Sequence, residues 1–143
     1  MTPLAAAAVA AACELLLLDH RSGAELQRLP LPAPELVLAF EHSVLGTTVE
    51  DRYRFGPGPD TPRARLVEER FDGQGYGLPH AAGPGEVLER TAGGWRLLTQ
   101  REVHPLVVRP LPAQRMRLRL PSGERALAEW SDRAIEFRIQ GCL

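Results

Sequence analysis

The feature that most constrains this chain is a two-residue alternation of apolar and polar side chains, repeated in short runs that Gly and Pro interrupt. Alternation at that period puts every second side chain on one face of an extended strand. In the run 49–55, Val49, Tyr53 and Phe55 fall on one side and Glu50, Arg52 and Arg54 on the other. Ile135, Phe137 and Ile139 alternate in the same way with Glu136 and Arg138, and Leu36, Leu38 and Phe40 share one face of Leu36–His42. Further strands are predicted at Glu14–Asp19, Glu25–Leu29, Ala64–Phe71, Val87–Arg90, Trp95–Leu98, Val103–Arg109, Met116–Leu120 and Arg125–Ala128, with a short helical turn at Glu129–Asp132. Pro30, Pro32 and Pro34 are expected to break regular structure. Turns are expected at His20–Gly23, Leu45–Thr48, Gly56–Asp60 and Ser122–Gly123, and the longest loop at Gly73–Gly85. Short strands at roughly ten-residue spacing predict an all-β fold, a single-domain antiparallel β-sandwich or an open barrel.

The 143 residues suit one domain, here 13–143. The basic set is 17 Arg with no Lys, balanced by 18 acidic residues to a net charge of -1. Nucleic-acid binding needs a concentrated positive field, which this balance argues against. The densest basic run, Arg115, Arg117 and Arg119, alternates with Met116, Leu118 and Leu120, as the wet face of a strand does.

Residues 1–12 form a hydrophobic leader too short to span a bilayer. Its length and small residues resemble a signal peptide, although Met1-Thr2-Pro3 supplies no positive charge. The expected location is periplasmic or extracytoplasmic; tethering to the membrane through the N-terminus and a cytoplasmic terminus are the alternatives. The two cysteines, Cys13 and Cys142, stand at opposite ends of the domain and have no metal-ligand spacing. If the first and last strands pair, a disulfide becomes available in an oxidising compartment.

Four places carry residue types used in chemistry. His42-Ser43 offers a base beside a hydroxyl, the pair a serine hydrolase needs. Neighbours on a strand point to opposite faces, however, so a structural reading sets Ser43 on the turn's backbone and His42 on the facing loop. Glu50 and Glu69 lie on strands expected to form a hairpin, and with His42 they would make a carboxylate–imidazole site for an amine, cation or metal. The competing reading is charge pairing with Arg52 or Arg70 on a wet face. The run Gly73-x-Gly75-x-Gly77 lacks the dinucleotide-binding spacing, and its glycines are expected to serve backbone conformation. Tyr76 is then either an exposed docking aromatic at the loop tip or a lid over the core. His20, His80 and His104 show no ligand spacing. No cofactor is implied.

The run from Ala39 to Phe55, with His42-Ser43, Leu45-Gly46 and Val49-Glu50 in order, resembles the opening signature of the DUF1850 family. Thr48 stands where that family commonly has Pro, and Asp51 where it commonly has a second Glu. Glu68-Glu69-Arg70-Phe71 followed by Gly75-Tyr76-Gly77-Leu78-Pro79 resembles its second signature, with Tyr76 in place of a small residue. The resemblance extends over most of 13–140, with specific motifs within 40–79. It implies an exported or membrane-tethered bacterial protein, often encoded beside or fused to the permease of a TAXI-type TRAP transporter. An accessory role in solute uptake is what the resemblance implies, and the expected function is a non-enzymatic extracytoplasmic module that contacts a membrane transporter component through the Gly73–Pro79 loop and the His42–Ser43 turn. The alternatives are a small-ligand or metal-binding domain using His42, Glu50 and Glu69, and a hydrolase with Ser43 as nucleophile.

Overall fold

A computed structural model describes residues 12–143, so nearly all of the expected leader lies outside the described residues. Among these residues eleven strands follow in chain order: β1 (Cys13–Asp19), β2 (Glu25–Leu31), β3 (Glu35–Glu41), β4 (Thr48–Gly56), β5 (Arg63–Phe71), β6 (Val87–Thr91), β7 (Gly94–Val103), β8 (Leu106–Val108), β9 (Arg117–Leu120), β10 (Gly123–Ala126) and β11 (Ile135–Gln140). They form two antiparallel sheets, ordered β2-β1-β11-β8 and β10-β9-β3-β4-β5-β7-β6. Neither sheet closes on itself or on the other, so the fold is two stacked antiparallel sheets and not a closed barrel.

The alternation read from sequence is what builds the interior. Leu15 and Leu17 of β1, Leu31 of β2, and Ile135, Phe137 and Ile139 of β11 pack against Leu36 and Leu38 of β3, Tyr53 and Phe55 of β4, Leu66 of β5 and Leu118 of β9. The small sheet does not cover all of the large one. Beyond its reach lies a second apolar cluster of Val49, Phe71, Leu78 and Leu97, with Phe40, Leu45, Leu88 and Trp95 packed around it. Here the lid is loop rather than sheet: Leu78 comes from the segment between β5 and β6, and Leu45 from the turn between β3 and β4.

Several sequence expectations need correction. Pro30 sits inside β2, which tolerates it because β2 is an edge strand with one unpaired side. The strand expected at Trp95–Leu98 runs on through the polar stretch to Val103. The strand expected at Val103–Arg109 is split: Val103 ends β7 in the large sheet, and Leu106–Val108 pairs with β11 in the small one. The polar part of β7 is held by Glu86 of the preceding loop, which accepts from Thr99 Oγ1 at 2.6 Å and pairs with Arg101 at 2.9 Å. These contacts, together with the Gly83 backbone N–H, hold the Glu86 carboxyl below its ordinary pKa. The helical turn arrives earlier than expected, as a 3₁₀ turn at Leu127–Glu129.

Candidate functional site

The β3–β4 turn and the β5–β6 loop meet at one end of the large sheet, and His42 joins them. The backbone N–H groups of Val44 and Leu45 donate to His42 Nδ1 at 3.2 and 3.1 Å. Backbone N–H can only donate, so Nδ1 is the acceptor and the ring proton sits on Nε2. Nε2–H in turn donates to the Tyr76 carbonyl at 3.1 Å. The structural reading of His42 therefore holds in part: the imidazole does bond the facing loop. The turn's backbone is satisfied by His42 as well, rather than by Ser43.

That arrangement decides the chemistry of the pair. Both His42 nitrogens are committed to main-chain groups, which leaves none to take a proton from exposed Ser43. A hydrolase centre at Ser43 lacks its base in this geometry.

The loop opposite is equally specific. Tyr76 and Gly77 have φ of 51° and 90°, and the Leu78 N–H donates to the Gly75 carbonyl at 3.1 Å. Two central residues at positive φ inside a closed four-residue turn is the type I′ pattern, which favours glycine at the second position. The turn throws Leu78 inward onto Val49, Phe71 and Leu97 and leaves Tyr76 outside, 70% exposed. Gly73 packs close to the turn: a Cβ there would lie 2.9 Å from Leu45 Cδ1, so the Leu45 side chain would have to shift. Val44, 60% exposed, lies on the turn that His42 caps, and the His42 and Tyr76 ring centroids are 6.4 Å apart. Gln74 Nε2 donates to the Pro79 carbonyl at 3.5 Å across the same loop. His42, Ser43, Gly75, Tyr76, Gly77 and Pro79 thus belong to one clasp of two loops.

Glu50 and Glu69 are not part of it together. Asp51 faces Glu69 across the β4–β5 ladder, while Glu50 faces Arg70. Successive residues alternate faces, so Glu50 points outward and Glu69 inward. Glu50 is paired with Arg119 at 2.7 Å on the outer face, as the charge-pairing reading expected, though with a different arginine. The three-residue site of His42, Glu50 and Glu69 does not assemble, and no cluster of three His, Cys, Asp or Glu fit for a metal exists among the described residues.

The residue that sequence reasoning passed over is Asp51. It lies in the inner row Leu38–Asp51–Glu69–Leu97 that crosses four strands. Asp51 is 8% exposed, and its Oδ1 has no hydrogen-bond partner. The Tyr53 hydroxyl donates to Oδ2 at a long 3.5 Å. Burial, then the Glu69 carboxyl, pushes the Asp51 carboxyl up to about 9. A neutral Asp51 avoids setting two carboxylate charges side by side in the inner row. Burial first, and then both carboxyls, push the Tyr53 phenol up as well.

At the far side of the molecule, β1 and β11 pair along their whole length, and Cys13 and Cys142 form a disulfide with Cα atoms 5.1 Å apart. That separation lies within the ordinary range for the bond.

No curated protein and no solved structure matches this chain. The family model described as "Domain of unknown function (DUF1850)" matches residues 36–127, from β3 through the start of the 3₁₀ turn after β10. That segment holds all seven strands of the large sheet and both loops of the clasp, and β1, β2 and β11 of the small sheet lie outside it. A match over well over half of the sequence places the chain: it belongs to the DUF1850 family.

Proposed function

We propose that this protein is a non-enzymatic, extracytoplasmic accessory module that docks on the membrane component of a TAXI-type TRAP transporter. The observation that carries the reading is the clasp. Tyr76 is held out in solvent by a turn whose carbonyl is bonded to His42, and the turn that His42 caps carries a second exposed apolar side chain, Val44. An aromatic presented on a fixed backbone loses little entropy on binding, and tyrosine is a common anchor of protein interfaces. The Cys13–Cys142 disulfide supports an oxidising compartment, where such bonds persist. The transporter itself enters through the family resemblance.

The test is site-specific photocrosslinking in cells that co-express the chain with a TAXI-type TRAP permease. Probes at Tyr76 and Val44 should capture the permease, and a probe at Gln27 on the edge strand β2 should not. Crosslinks that ignore position, or a folded and exported protein that captures no permease from either site, would sink the proposal.

A further inference from the structure

The outer face of the large sheet is a lattice of arginines and glutamates. Arg119 pairs with Glu50 and Glu124, Arg117 with Glu41, Arg52 with Glu35, Arg70 with Glu68, and Arg96 with Glu89. Opposite charges facing each other across strands stabilise a sheet, and like charges facing each other destabilise it. Two arginine pairs break this rule. Arg70 faces Arg96, but each has its own carboxylate, Glu68 and Glu89. Arg54 faces Arg65, and there the compensation is incomplete: Arg54 pairs with Glu35, which faces it on β3, whereas Arg65 has no ion pair among the described residues.

Arg65 is exposed and makes no ion pair within 4 Å among the described residues. The carboxylate facing it on β7, Glu102, is taken by Arg63 at 2.7 Å. Arg54 reaches Glu35 only at 3.5 Å and shares it with Arg52. Arg54, Arg63, Arg65 and Glu102 line a cleft of about 170 Å³ together with Gly56, Pro57, Val67 and Gln100. Three arginines thus line a cleft whose lining holds one carboxylate, Glu102. A space of that volume exceeds the share of several waters, about 30 Å³ each.

We propose that this cleft is a binding site for a small oxyanion, a carboxylate or phosphate group, bridged by Arg54 and Arg65 with Arg63 at its side. Guanidinium forks match both groups in geometry, and an anion between two facing arginines removes the repulsion that the pair otherwise carries. A local conflict in an otherwise complementary lattice is where a functional site is expected. The cleft lies on the face of the sheet opposite to Asp51 and away from the His42–Tyr76 clasp, so it stands independently of the transporter reading.

The two sources separate in a thermal-unfolding titration of the disulfide-intact protein, with inorganic phosphate in one arm and succinate in the other, against sodium chloride at matched ionic strength. A saturable rise of the midpoint in one or both arms is expected, and the responding arm names the ligand class. Arg65→Gln and Arg54→Gln should abolish that rise, and Arg65→Gln should raise the midpoint in chloride alone by relieving the like-charge pair. Because that last change is a gain, failure to fold cannot imitate it. A midpoint that follows ionic strength alone, an anion response that survives in both variants, or a lower midpoint for Arg65→Gln in chloride would each overturn the assignment.

Discussion

Asp51→Asn should remove a pH dependence of stability that the wild-type interior builds in. Burial, then the facing Glu69 carboxyl, raises the Asp51 pKa from 3.8 to about 9. The titratable groups that face Asp51 are Glu69 from β5 and Tyr53 from its own strand; the flanking members of its row, Leu38 and Leu97, carry no charge. A group whose folded pKa is raised contributes stability that is complete below its unfolded pKa, and that contribution is lost as the pH rises toward the folded one. Between about pH 4 and pH 9 the folded chain holds one proton more than the unfolded chain, so stability falls by about 1.4 kcal/mol per pH unit. From pH 5 to pH 7 that amounts to about 3 kcal/mol, a large part of the stability of a domain this size. The carboxyls held low, Asp19, Glu86, Glu102 and Glu136, act in the opposite sense, but their contribution is lost only as the pH falls below the ordinary carboxylate range. Asparagine preserves the shape and cannot ionise. Urea unfolding of both proteins at pH 5, 6 and 7 isolates the effect, because the difference between them cancels every titration they share. That difference should move by about 3 kcal/mol in favour of the asparagine variant as the pH rises. Curves that stay parallel across the window would mean that Asp51 is ionised in the folded state, and the reasoning would fail.

Three further outcomes follow from the packing. Phe137 is 2% exposed at the centre of β11, so Phe137→Ala should cost about 3–5 kcal/mol in urea unfolding; a loss below about 1 kcal/mol would mean the strand face is misassigned. The Cys13–Cys142 bond closes a sequence separation of 129 residues, so replacing both cysteines with serine should lower stability by about 5 kcal/mol on the chain-entropy account. Equal stability with and without reductant would contradict it. His42→Ala removes the partner of two backbone donors and the Tyr76 carbonyl, groups that water can largely reach, and should cost about 0.5–1.5 kcal/mol. Hydrogen exchange should accelerate at the Leu78 amide and stay slow in β1 and β11; uniform acceleration would deny the clasp.

Much of the sandwich was legible because two-residue alternation reports burial directly. It identified strands at all eleven sites, though not every boundary, and Tyr53, Phe55, Ile135 and Phe137 are inside as the pattern requires. What it missed depends on neighbours in space. Pro30 is tolerable only because nothing pairs on its side of β2, and the sequence does not say which strands are edges. Thr99 to Glu102 show no apolar alternation, yet they extend β7 because Glu86 comes over from the loop to satisfy Thr99 and Arg101. The break between β7 and β8 is a change of sheet, and the apolar run Leu106-Val107-Val108 looks the same whichever sheet it joins.

The site shows the same limit and one avoidable omission. Whether Glu50 and Glu69 converge depends on register, since a shift of one residue exchanges the faces. The observed ladder sets Glu69 against Asp51, which sends Glu50 to Arg119 instead. His42 was rightly assigned to the facing loop, but its second role, capping its own turn, needed the ring's orientation, which spacing does not supply. Asp51 is different. The alternation that puts Val49, Tyr53 and Phe55 inside puts Asp51 inside with them, and a carboxyl in an apolar row is the departure from pattern that a reading by apolar residues alone steps over. The facing Arg54 and Arg65 are the same kind of departure on the outer face. In both places a like-charge pair sits where the sheet would be more stable with a complementary one. At Asp51 the conflict is met from within the fold, because burial and the facing carboxyl keep Asp51 protonated. Arg54 and Arg65 cannot do the same, because a guanidinium does not give up its proton; Glu35 and Glu102, which face them on the outer strands, offset the pair only in part, and the proposed anion would supply the rest.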